Sequence, residues 1–232
     1  SYSYDDWITV GWALYNVSST LYPEFEEFSK QSPSKFDINA CQKVWYDCSH
    51  KQLFNSGYTI ASLYYWAKKD NPDGYGNIIF ESLNPLLEKG NLKTDFDTAV
   101  IIHAMYKYEY VCDSIREKMW YEFIGHRWKH IEDASSLSIK ISTEVAEQYT
   151  KLSIKYLNKS ITEKGGNADM FHKKSTEINN VCLGLKNTSK KKNIINECAH
   201  LFHNPEFREK IDSNTHLIGF TNGVYDLRQR MF

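Results

Sequence analysis

"YEYVCDSIREKMWYEFIGHRWKHIE" (residues 108–132) changes the period of the chain. Helical spacing precedes it, from a cap at Thr94 to about Lys107, and returns after it at Ser135. Inside it, "YEYVCDSI", "MWYEFIG" and "HRWKHIE" are rich in aromatic and β-branched residues at a period of two. Glu117-Lys118 and Gly125-His126 break the runs. The stretch therefore predicts a three-stranded antiparallel meander set between helices.

Towards the C-terminus, Leu137, Ile141, Val145, Tyr149, Leu152 and Tyr156 are spaced four, four, four, three and four apart. One long helix is expected, of roughly six turns. "KSITEKGGNADMFHKK" (159–174) has little pattern and two adjacent glycines, and reads as a loop. Helices "STEINNVCLGLKN" and "KKNIINECAHLFH" and a short "PEFREKID" follow. "HLIGFTNGVYDL" (216–227) reads as a β-hairpin turning at Asn222-Gly223, a dipeptide suited to positive φ. With that turn, Phe220 faces Tyr225 and Ile218 faces Leu227, giving an apolar face that needs cover.

Towards the N-terminus the pattern is helical. Trp7, Ile8, Gly11, Leu14 and Tyr15 share one face. "PEFEEFSK" is a short helix. Asp37 caps "INACQKVWYDCSH", with Ile38, Cys41, Trp45 and Cys48 on its face, and Thr59 opens "IASLYYWAKKD", with Ile60, Leu63, Tyr64 and Ala67 on its face. "DNPDGYGN" (70–77) breaks the pattern and is the best boundary signal. The expected fold is mainly α with a small antiparallel β meander and a C-terminal β-hairpin (α+β). It divides into helix-rich domains at 1–72 and 94–232, joined by a partly helical connector at 73–93.

The length of 232 residues suits one large or two small domains, and an aromatic content of 15% argues against disorder. The longest apolar runs, such as "IASLYYWA", fall far short of the ~20 residues of a membrane helix. Five cysteines with no CxxC pair suit a reducing compartment and not secretion. The net charge of −1 conceals one basic segment: residues 151–192 hold 10 Lys against 3 acids.

Two metal sites can be drawn on paper. Cys41, Cys48 and His50, or Cys198, His200 and His203, combine ligating types, but the cysteines fall on apolar helix faces beside Trp45 and Ile194 and read as core. Asp95-Phe96-Asp97 resembles a two-metal carboxylate pair, but it opens a helix, where acids meet the positive dipole end, and reads as capping. No Gly-Lys dipeptide occurs, so there is no GxxxxGK[ST], and GxSxG, HExxH and GxGxxG are missing too. The chain shows no catalytic residues and no metal ligands of its own. The basic segment stands out: Lys173, Lys174, Lys186, Lys190, Lys191 and Lys192 are candidate phosphate contacts. Lys43 and Lys51 are a second, less supported pair.

"SYDDWITVGWAL" (3–14), with Trp7, resembles the opening of the primase C-terminal type 2 domain, a small helical module of viral and phage replication proteins. Trp45 and "TIASLYYWA" fit its later helices. "TDFDTAVIIHAMYKYEYVCDSI" and "KMWYEFIGHRWK", with Trp120 and Trp128, resemble the N-terminal domain of the poxvirus-type primase-helicases of large DNA viruses. "FREKIDSNTHLIGFTNGVYDL", with Phe220, Asn222 and Gly223 in its core, is similar to sequence found just upstream of superfamily 3 helicase domains. No motif of the basic region 159–192 carries the resemblance.

The resemblance implies an order of primase, this segment, then a hexameric ATP-driven helicase. The segment would be a non-catalytic linker and collar between two enzymes, contacting single-stranded or forked DNA. It would need no cofactor itself, with ATP and Mg serving the parent helicase. Its partners would be the parent's primase and helicase domains and further copies of itself in a hexamer, with no membrane. Its place would be the host cytoplasm at viral replication sites, or the nucleus. The alternative is a purely structural oligomerisation or docking domain.

Overall fold

The structure, a computed structural model, describes residues 3–50, 58–89, 94–211, 213, 215–220, 223–228 and 230. It is mainly helical, with one three-stranded and one two-stranded antiparallel sheet. Two compact units form. The first holds residues 1–72, 123–128 and 212–232, and the second holds 73–122 and 129–211.

In the first unit, α1 (Tyr4–Val17) starts on a capping box in which Ser3 and Asp6 satisfy each other's backbone N–H. α2 (Tyr22–Lys30) has Pro23 in its first turn. α3 (Ile38–His50) is opened by Asp37, whose Oδ1 accepts from the Asn39 N–H at 2.8 Å. α4 (Ile60–Asp70) starts on a second capping box, Thr59 with Ser62. Phe25, Cys41, Val44 and Cys48 make the buried cluster, ringed by half-buried Trp7, Trp12, Tyr15, Tyr22 and Trp45. Gly11 lets α1 approach: a Cβ there would lie 2.9 Å from the Phe25 ring.

Two helix faces differ from the sequence reading. Ile38 is exposed, and Val44 takes its place on the buried side of α3. In α4 the buried residues are Ala61 and Ser62, and Ala67 is exposed. Trp66 of that helix packs on Tyr58, at 5.4 Å between rings.

In the second unit, α5 (Pro72–Lys89) begins directly after the Asn71 cap of α4. The glycines of "DNPDGYGN" are thus helical, because Pro72 starts the helix where its missing N–H costs nothing. α6 (Asp95–Tyr106) is capped by Thr94. The meander follows as β1 (Tyr110–Ser114), β2 (Met119–Phe123) and β3 (Trp128–Glu132), in the order β1-β2-β3, with residues 123–128 counted in the first unit. The expected turns hold: Lys118 and Gly125 have φ of 51° and 96°. A side chain at Gly125 would be strained by that φ and would strike Tyr65, which belongs like Gly125 to the first unit, 2.6 Å away.

The long helix has three parts: α7 (Ser135–Lys140), a π-helical turn (Ile141–Val145) and α8 (Ala146–Thr162). All six stripe residues are buried. Three successive spacings of four overshoot a 3.6-residue turn by about 40° each, which would swing the stripe off the core. The wider π turn absorbs the overshoot and keeps Leu137, Ile141, Val145 and Tyr149 on one side.

The loop expected at 159–174 is a correction. α8 runs to Thr162 and α9 spans Gly166–Gly184, so only residues 163–165 connect them. Gly165, at φ 67°, supplies the reversal. The first turns of α9 carry little apolar pattern, and Phe171 among them packs at 6.1 Å on Tyr156. α10 (Thr188–Leu201) and α11 (Phe207–Lys210) complete the unit. After α10, the Cys112 N–H donates to the Phe202 carbonyl and the Asn204 N–H to the Cys112 carbonyl, covering that edge of β1.

The C-terminal hairpin pairs β4 (Leu217–Phe220) with β5 (Gly223–Asp226), in a register different from the one expected. Phe220 pairs with Gly223 and Ile218 with Tyr225. Asn222, part of the expected turn, lies outside the described residues. An aromatic ring opposite a strand glycine covers its bare backbone, which favours this pairing. The partner shifts by two positions, so Ile218, Phe220 and Tyr225 keep one face.

Candidate nucleic-acid interface

The six candidate lysines occupy two places in the second unit. Lys173 and Lys174 lie on α9, Lys173 exposed and Lys174 half-buried. Lys186 lies in the short turn after α9, and Lys190, Lys191 and Lys192 lie in the first turns of α10. Asn187 caps α10, accepting from the Lys190 N–H at 3.2 Å. That first turn holds no acid, so three ammonium groups sit at the positive end of a helix dipole. The arrangement costs stability in the free protein and favours an anion nearby. The exposed Lys43 is on α3, and Lys51 lies outside the described residues.

Sequence reading missed Lys159. It lies on α8 beside Lys174, and both ammonium groups approach the Tyr156 ring, at 5.5 and 4.4 Å. The missed signal was the i, i+3 pairing of Tyr156 with Lys159 and of Phe171 with Lys174, which the loop assignment obscured.

The tryptophans play structural parts. The Trp7 Nε1–H donates to Ser29 Oγ at 2.8 Å, and its ring stacks on Phe25. Trp45 Nε1–H donates to the Ser19 carbonyl, and its ring meets Tyr15 edge-on at 5.1 Å. Trp45 also lines an open cleft of about 430 Å³ with Tyr15, Tyr22, Gln42 and Tyr46. Trp120 is sealed in the second unit against Phe202, and Trp128 packs on Phe123.

A partly buried polar network holds the meander to α7. Glu122 accepts from Tyr110 Oη and Ser136 Oγ, both at 2.8 Å, and from Lys140 Nζ at 3.2 Å. Lys140 also pairs with Glu109. Burial pushes the Glu122 carboxyl up, but the hydrogen bonds and the Lys140 charge outweigh it and hold it below the usual range. Burial pushes the Tyr110 phenol well up. The network needs an intact ammonium at its centre, so it is built to hold strands and helix together.

No group of three His, Cys, Asp or Glu among the described residues is placed to hold a metal. Cys41, Cys48 and Cys198 are buried as the sequence suggests, and burial raises the Cys48 thiol to about 11. Asp97 hydrogen-bonds Thr94 Oγ1 at 2.6 Å in the α6 cap, the role expected of it. No described helix is long and apolar enough to cross a membrane.

The comparisons match this architecture in two pieces. Residues 1–67 match the primase C terminal 2 (PriCT-2) family, and residues 99–232 match the D5 N terminal like family. The chain belongs to the D5 N terminal like family. Its D5-N-like part takes in α6, the meander, the long π-interrupted helix, the α8–α9 hairpin and the terminal strands. Relatives occur in large DNA viruses. A protein of Acanthamoeba polyphaga mimivirus named "Putative helicase L207/L206" is 33% identical over 99% of this chain and 24% of its own length. "Putative helicase 022R" of Frog virus 3 is 28% identical over 96% of this chain and 26% of its length. "Putative primase C962R" of African swine fever virus (isolate Pig/Kenya/KEN-50/1950) is 28% identical over 97% and 25%. The D5-N-like chain thus spans about a quarter of the curated relatives it matches, and is a region related to viral primases and helicases.

Proposed function

We propose that this chain is the non-catalytic linker and collar of a viral DNA-replication primase-helicase. It couples a primase to a hexameric, ATP-dependent superfamily 3 helicase and contacts single-stranded or forked DNA. The observation that carries the reading is the order of the two family matches, a primase C-terminal module followed by a D5 N-terminal-like region in one chain. The names of the relatives, helicase for some and primase for others, support it. In this reading ATP and Mg serve the parent's helicase, and the protein works in the host cytoplasm at replication sites or in the nucleus.

Lys173, Lys174, Lys186, Lys190, Lys191 and Lys192 supply the electrostatic contact, loose and independent of sequence. Binding of a labelled oligo(dT) should be micromolar or weaker and fall steeply with salt. Replacing Lys186, Lys190, Lys191 and Lys192 with Ala should weaken it and flatten its salt dependence. ATP hydrolysis by the purified chain would overturn the non-catalytic assignment.

One observation favours a purely structural role. Ile154, Leu157 and Ile161 fall on one face of α8 and are 51%, 41% and 75% exposed. A stable ring of the chain in light scattering, with no affinity for oligo(dT), would establish that reading in place of the first.

A further inference from the structure

Each helix of the α8–α9 hairpin supplies an aromatic residue and, three positions later, a lysine: Tyr156 and Lys159 from α8, Phe171 and Lys174 from α9. Residues three apart share a helix face. The lysines cross over. Lys174 Nζ lies 4.4 Å from the centroid of Tyr156, on the other helix, and Lys159 Nζ lies 5.7 Å from that of Phe171. Lys159 Nζ is also 5.5 Å from the Tyr156 centroid, so two ammonium groups converge on one ring. That ring is held rigidly, since Tyr156 is only 4% exposed, and it stands 6.1 Å from Phe171 at 30°.

Ring faces attract ammonium groups and restrict long, flexible side chains, so part of the ordering cost is already met before a ligand arrives. The two like charges repel each other in return. A carboxylate would relieve that repulsion, but the Glu147 carboxylate of α8 pairs with Lys151, at 3.0 Å. Neither Lys159 nor Lys174 has an ion-pair partner among the described residues. A group with several acceptor oxygens and one negative charge fits the place, which is the chemistry of a phosphodiester. Lys164 and Lys173, both exposed, extend the positive surface around the hairpin end, which favours a chain of phosphates over a single ion.

We propose that Lys159 and Lys174 form a two-lysine phosphate clamp on the α8–α9 hairpin for the backbone of a single-stranded nucleic acid, positioned by the rings of Tyr156 and Phe171. The proposal rests on the nucleic-acid part of the proposed function. It adds a location separate from the α9–α10 turn and a residue, Lys159, outside the basic runs.

The test is fluorescence anisotropy of labelled oligo(dT) with the 232-residue chain across a salt series. Lys159→Gln with Lys174→Gln should weaken binding about tenfold and lower the salt slope by roughly 0.7, one phosphate contact's worth on a single strand. Lys159→Arg with Lys174→Arg should keep both. Phe171→Leu, which keeps every charge, should weaken binding by a smaller factor. Circular dichroism checks that each variant is folded. A folded double-Gln variant with unchanged affinity and slope overturns the clamp and leaves the nucleic-acid reading standing. No binding by the unaltered chain at the lowest salt overturns both. Equal affinity for a duplex, or equal competition by inorganic triphosphate at matched phosphate concentration, overturns the single-strand assignment.

Discussion

The two units are built from different materials. Five of the six tryptophans belong to the first, and Trp120 alone to the second. The first unit buries a small cluster and surrounds it with half-exposed rings whose polar ends are tied to serines, as in Trp7 with Ser29 and Trp45 with Ser19. The second buries an aliphatic and tyrosine stripe along one helix and ties it to the sheet through a charged network. A small bundle with little interior depends on ring geometry, while a larger one can bury aliphatic side chains fully and carry charge beneath them.

The largest effect should come from Phe25→Ala. Phe25 is fully buried and meets both Trp7 and Trp45 ring to ring. The first unit should lose about 3–5 kcal/mol. Tryptophan fluorescence reports mainly on that unit, so its urea midpoint should fall while the later phase of the far-UV circular dichroism stays in place. One shared transition that moves as a whole would show that the units do not unfold separately.

Lys140→Met tests the second unit. It leaves Glu109 and Glu122 facing each other without their cation, and should cost about 2 kcal/mol at neutral pH. The cost stays below that of a fully sealed pair because the Glu109 side chain keeps 27% of its surface exposed. The sign with pH follows from Glu122. Its folded value is depressed, so its contribution is present above the ordinary value of 4.5 and is lost as pH falls through the lowered one. The gap between the unaltered chain and the variant should therefore narrow on acidification in that window. A gap constant from neutral pH into that acid range would show that the network is not what Lys140 supports.

Legibility in the sequence followed periodicity. The meander and its turns at Lys118 and Gly125 could be read because strand alternation and the positive φ positions are local. The buried stripe from Leu137 to Tyr156 could be read as well, but the π turn beneath it could not, although three equal spacings of four were its trace. The start of α9 was lost because the contact of Phe171 on Tyr156 runs across the two helices, which no local pattern encodes. The same loss concealed Lys159 as a neighbour of Lys174. The register of β4 and β5 was misplaced because the favourable Asn222-Gly223 turn competes with cover for Gly223, a choice that pairing makes and dipeptide preference does not.

The smallest of these effects, Ser29→Ala, tests whether the serine ties matter in the aromatic bundle. Ser29 Oγ accepts from Trp7 Nε1–H at 2.8 Å and donates to the Phe25 carbonyl at 2.7 Å. Removing it leaves the half-buried indole N–H without that acceptor, a loss of about 1 kcal/mol. Alanine suits a helix better than serine, which returns up to about 0.5 kcal/mol. The net change should be a small lowering of the urea midpoint seen by tryptophan fluorescence. A cycle with Trp7→Phe separates the two contributions, because the propensity gain is present in both backgrounds and cancels. A coupling near 1 kcal/mol would mean that the hydrogen bond fixes the indole. Strict additivity would mean that ring packing on Phe25 alone positions Trp7, and that the bundle's serines only fill space.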